Sequence, residues 1–240
     1  MTADGWARTV RQQLGLGRLL PLGGPRDGAW IAEEAAGVAL RRAAHAVPGV
    51  RLGALRIALA DPARAHEPVV PPPPSALPPG ALRVTADFAA TAAEPLPTVA
   101  DRLRTTLAEA ADRLLGLKVT EVDLRVTALL DEAAELAPVR PQEAPSAREP
   151  SDGDESDAAA AALAVPGVAG LTGTLGGLGR PVHIEERHTD TALPARHVRV
   201  EIAVQADHRA VVVARQVRTK VAKALPDHPT VAVLVTAVVG

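Results

Sequence analysis

The chain has 240 residues and a formal net charge of −2, enough length for one or two domains with real cores and no global field to draw it to nucleic acid or a membrane. It has no cysteine, which excludes a disulfide framework, a thiolate nucleophile and a thiolate zinc site. Trp6, Trp30 and Phe88 are its whole aromatic set, too few for the stacking platforms of single-strand binders.

The N-terminus has no apolar core of a signal peptide, and no run of about 18 apolar residues follows anywhere. The expected location is therefore the cytoplasm. In residues 1–29, Trp6, Val10 and Leu14 share a helical face with Arg8, Arg11 and Arg18 nearby, the pattern of a short amphipathic helix. Two to three turns before Gly15 and Gly17 are too few for isolated stability, so this segment either lies at an interface or docks on the rest of the chain or a partner.

Ile31 to Ala46 reads as a helix, with Ile31, Ala35 and Val38 on one stripe, stopped by Val47-Pro48-Gly49. Leu55, Ile57 and Leu59 alternate as a strand. The insert 69–80 (VVPPPPSALPPG) predicts polyproline II or disorder, a stiff loop more than a ligand for a proline-reading domain. Leu82, Val84, Ala86 and Phe88 then face one way and Arg83, Thr85 and Asp87 the other, the cleanest period-two signal in the chain. Val99, Leu103, Leu107, Ala110 and Leu114 mark a long helix, with Thr98 as the expected N-cap, Asp101 completing a capping box and Gly116 ending it. Val122, Leu124, Val126 and Ala128 alternate with Glu121, Asp123, Arg125 and Thr127.

Residues 133–156 are rich in Pro, Ser and acids and read as a disordered linker. Beyond them the plan returns in weaker form. An Ala-rich helix spans 157–164, Val182 and Ile184 open one strand, and Val198 to Val204 form another. Val213, Val217, Val221 and Ala224 mark a helix. Thr230 to Val239 is so continuously apolar that both faces should be covered, by the other copy or another chain.

Internal matches support a tandem duplication. AVPGV occurs at 46–50 and 164–168, RVTADFAA at 83–90 matches RVEIAVQA at 199–206, VADRLRT at 99–105 matches VARQVRT at 213–219, and VTA recurs at 126–128 and 235–237. All four fall in the same order. The expected architecture is α/β of the α+β two-layer kind: two α-β-β-α-β repeats at 30–132 and 157–240, each a small mixed sheet with helices on one face and solvent or a partner on the other.

The sequence resembles the alkaline shock (Gls-type general stress) family in this order of elements. The carriers are VPGV at 47–50, LRVTADF at 82–88, LPTVADRLRTTLAEAADRLLGLKVTEVDLRV at 96–126 and their second-copy counterparts. The resemblance covers roughly two-thirds of the chain, on the repeat reading, with the family's usual single domain present twice. It implies a non-enzymatic, cofactor-free protein of envelope-stress type, acting through protein partners, among them a membrane anchor protein that would hold it at the membrane periphery, or through self-association.

Sharper chemistry is sparse. His183 and His188 near Glu185 and Glu186 match no metal-ligand spacing and read as solvated polar residues. GTLGGLGR at 173–180 lacks the Lys-Ser/Thr of a phosphate loop and reads as a turn. No G-x-S-x-G or informative Ser-His pairing exists. The strongest local charge feature is the helix with Arg209, Arg215, Arg218, Lys220 and Lys223, which has no acid between Arg209 and Leu225. These five are the candidate partner-binding or anion-binding residues. They define an alternative function, an anion-binding module for nucleic acid or lipid headgroups, against a solvated outer face around inward Val213, Val217 and Val221.

Overall fold

A computed structural model of the chain describes residues 17–131, 144, 146–150, 153–174, 179–189 and 192–240, without the side chains of 187–189 and 192–195. Trp6, Val10 and Leu14, and most of the linker, lie outside the described residues. The fold is α+β in two layers, with four α-helices and nine strands among the described residues. The strands form two mixed sheets.

The first repeat is built as its periodicity dictates. Helix α1 (Glu33–His45) leads through the VPGV turn into strand β3 (Val50–Leu59). Strand β4 (Leu82–Thr91) pairs antiparallel with β3 and parallel with β5 (Val119–Leu130), so β4 is central. Helix α2 (Leu96–Ala110), prolonged by a π turn at Ala111–Leu115, makes the crossover. Leu82, Val84, Ala86 and Phe88 are buried against the helices, and the opposite face is open. Thr98 is not the N-cap. The helix starts at Leu96 with Pro97 in its first turn, where a missing N–H costs nothing. Gly116 ends it at φ +86°, and a Cβ there would lie 2.2 Å from Val211 Cγ1, so glycine is required twice over.

The second repeat repeats the topology. Helix α3 (Gly153–Leu163) begins inside the segment read as linker, four residues before the expected Asp157. Its VPGV turn leads into β6 (Val168–Leu171). Strand β7 (Val182–Thr189) is not the counterpart of all of β3. Both β6 and β7 pair antiparallel with β8 (Ala192–Gln205), β6 at Ile202–Val204 and β7 at Ala192–Val200, so the equivalent of β3 is one strand interrupted by the Gly-rich excursion. Helix α4 (Ala210–Ala224) crosses to β9 (Thr230–Val239), parallel to β8.

The duplication is visible at atomic level. In both copies the VTA triplet forms a bulge: the register shifts between Phe88 and Ala89 opposite Val126/Ala128, and between Ile202 and Ala203 opposite Val235/Ala237. The extra residue is Thr127 in one and Thr236 in the other, and each hydroxyl donates to the carbonyl before the shift, Phe88 at 3.2 Å and Ile202 at 3.4 Å. The two VPGV turns also match: Thr91 N–H donates to Gly49 O and Gln205 N–H to Gly167 O, both at 2.9 Å.

The expected start of the first helix at Ile31 is corrected. Ala29–Ala32 is strand β2, hairpinned to β1 (Leu19–Pro21) and paired parallel with β9 through Trp30↔Leu234 and Ile31↔Val235. The second sheet thereby runs β1-β2-β9-β8, with β6 and β7 end to end on the far side of β8. Burial of apolar Trp30 and Ile31, both at most 1% exposed, outweighs the helical spacing. Strand β9 sits between β2 and β8, contacts α4 of its own repeat and α1 of the first, and is buried from Val231 to Val238. One hydrophobic core runs through both repeats.

The proline insert is neither disordered nor a free polyproline rod. Val70 is buried, Leu77 N–H donates to Leu19 O at 2.8 Å, and Trp30 Nε1 donates to Leu77 O at 3.1 Å. The insert therefore braces the β1 edge of the second sheet.

Candidate functional site

Four of the five basic residues, though largely exposed, donate to groups of other elements within the chain. Arg209, the residue before α4, donates to Asp112 Oδ1 at 2.8 Å and to its carbonyl at 3.0 Å, tying α4 to the end of α2. Arg215 makes a two-pronged pair with Asp27 at 2.8 and 2.9 Å, and Arg218 donates to Arg26 O, both in the turn between β1 and β2. Lys220 Nζ donates to Ala164 O at the end of α3, at 2.8 Å. Lys223 stands in the last helical turn beside Arg218 and His228 on an open basin. His228 Nδ1 bonds the Ala222 carbonyl at 3.0 Å. Cations there answer the negative end of the helix dipole, which disfavours an added anion. Burial pushes Asp27 up, but hydrogen bonds from Arg215 and the Gly24 amide and the charges of Arg215 and Arg218 outweigh it and hold the carboxyl below its usual range.

The polar residues of β7 and β8 gather elsewhere. Glu201 is fully buried and accepts from the Thr174 amide at 2.6 Å and the Thr174 hydroxyl at 2.7 Å. His183 Nε2 lies 3.9 Å from Glu201 Oε1, while Glu185 and Glu186 are exposed and the His188 side chain lies outside the described residues. Burial, reinforced by the Arg199 charge beside it, pushes His183 below the ordinary histidine range. No group of three or more His, Cys, Asp or Glu among the described residues is placed to hold a metal. In the Gly-rich segment, Thr174 N–H already serves a carboxylate, the reverse of a phosphate cradle. A Cβ on Gly173 would fall 2.1 Å from Gly179 O, so these glycines let two backbones meet. This cluster fastens the excursion between β6 and β7 to the sheet. Glu201 is not legible as a buried anchor from its strand alternation, which assigns it to a solvated face.

The open surface is the first sheet. Its outward rows run across three strands: Arg56, Thr85 and Asp123 in one, Ala58, Arg83 and Glu121 in the next, Asp87 and Arg125 in a third. Arg83 Nε donates to Glu121 at 2.6 Å, and Arg125 grips Asp87 with two bonds of 2.8 Å. Such exposed pairs are screened by solvent and order the surface more than they stabilise it. The edge of β3 is blocked by side chains: Arg41 donates to Gly53 O at 2.6 Å, Arg18 to Ile57 O at 2.8 Å, and Glu33 accepts from Ile57 N–H at 3.0 Å. Strand β5, 12 residues long, pairs with no described strand on its outer side. Its twin β9 is covered there by β2. Val126 is 41% and Leu129 61% exposed, against at most 5% for Val235 to Val238 on β9.

No protein-family model matches the chain, and no curated protein matches it. Among the described residues no helix is long and apolar enough to cross a membrane.

Proposed function

We propose that this chain is a non-enzymatic interaction protein of the envelope-stress type, a tandem form similar to the alkaline shock family, whose partner surface is the open sheet of its first repeat. The observation that carries this reading is the asymmetry between twins. The second repeat has its last strand enclosed by β2, α1 and α4, whereas the first keeps a polar sheet face and a partly apolar edge exposed on β5. Exposed aliphatic residues on a long strand edge are an aggregation liability unless something uses them.

The anion-binding alternative loses support, since Arg209, Arg215, Arg218 and Lys220 all donate within the chain. A fluorescent fusion in the cells that produce the protein tests the choice. The reading expects a rim at the envelope that Lys223→Ala leaves intact and that Thr85→Lys, at the centre of the open face, disperses. A nucleoid signal, or a rim lost with Lys223→Ala alone, would overturn it.

A further inference from the structure

Strand β5 is self-complementary. Arg104 Nε on α2 donates to Val122 O at 3.3 Å, which marks Val122 as a residue whose backbone groups point away from β4. By alternation Leu124 and Val126 point the same way, so these three turn their N–H and C=O groups to an edge that no described strand pairs with. Two such edges meeting antiparallel about a two-fold axis must set outward residues opposite outward residues. Three central registers satisfy this. A register centred on Asp123 opposes Asp123 to itself, and one centred on Arg125 opposes Arg125 to itself. The register centred on Leu124 sets Asp123 opposite the Arg125 of the second copy, twice by symmetry, with Leu124 against Leu124 and Val122 against Val126 on the helix side.

We infer that the outer edge of β5 pairs with the same edge of a second copy of this chain, antiparallel about Leu124. The inference rests on the open-sheet reading above and extends it: the two three-stranded sheets join into one six-stranded platform. The charge ladder of each copy becomes continuous, running Asp87–Arg125–Asp123–Arg83 across the junction, since Arg125 already holds Asp87 and Arg83 already lies 3.5 Å from Asp123. The half-exposed Val126 gains an apolar neighbour. The weak Arg104–Val122 bond is exchanged for a ladder bond. In the second repeat the equivalent edge has no need of a partner, because β2 fills it at Val233–Val235.

The test is the solution mass of the full chain over a wide concentration range, by sedimentation. The wild type is expected to rise from the 24.7 kDa of one chain to twice that. Asp123→Arg, which leaves the Asp87–Arg125 pair intact, should weaken association at least tenfold. Arg125→Asp should do the same. Mixing the two variants should restore dimers, because each Arg then faces an Asp. A wild type that stays monomeric throughout, or an Asp123→Arg variant that dimerises like the wild type, would overturn the inference. Should Arg125→Asp not fold, Asp123→Arg alone decides. A monomer that still forms the envelope rim would sink the self-pairing and leave the interaction reading standing.

Discussion

Asp27 shows how one carboxylate joins parts of the chain 188 positions apart. It sits in the β1–β2 turn, accepts from Gly24 N–H at 2.6 Å and is gripped by Arg215. Its carboxyl is held below the usual range, so the folded state favours the ionised form more than the unfolded chain does. The stability this contributes is present above the ordinary aspartate pKa and is lost as pH falls through the lower native value. Arg215 is half exposed, so the contribution is screened. Asp27→Asn is expected to lower stability by about 1 kcal/mol at pH 7, measured by urea unfolding. The gap to wild type should close as pH falls below about 4. A gap constant with pH would show that the carboxylate's charge is not what matters.

At the scale of elements, the repeated VTA bulge is the feature that both copies share most closely, and it differs in its surroundings. Thr127 is exposed on the open sheet, whereas Thr236 is fully buried and its hydroxyl lies 2.6 Å from that of the equally buried Thr172. Thr236→Val and Thr172→Val should each cost about 1–3 kcal/mol, since each leaves a buried hydroxyl with one partner fewer. The double variant should cost less than the sum, because neither hydroxyl remains. Additive costs in thermal or urea unfolding would contradict this pairing. Elements governed by local pattern were legible in the sequence: the alternation of Leu82 to Phe88, the α2 stripe and the VPGV turns. Elements decided by distant partners were not. Ile31 fits a helix stripe until β9, some 200 residues away, supplies a strand to pair with. The four residues of β6 are too few to show a period. The proline insert is ordered by Leu19 and Trp30, which its own composition does not reveal.

At the scale of the molecule, the two repeats are one folded body, with a shared core and ion pairs from α4 to both the N-terminal hairpin and the end of α2. The basic residues of α4 were legible, but their role was not, because their acidic and carbonyl partners come from other elements. The open sheet was legible as polar alternation on one face of Leu82–Phe88 and Val122–Val126. The free edge of β5 was not, since edges are properties of the assembled sheet. Strand β5 is open where its twin β9 is enclosed, a difference that amide hydrogen exchange of both strands, followed from dilute to concentrated protein, reads out. The β9 amides are expected to exchange slowly at every concentration. The outward amides of Val122, Leu124 and Val126 should exchange fast when dilute and become protected as concentration rises. Equal and concentration-independent protection of the two strands would show instead that the β5 edge is already covered within one chain.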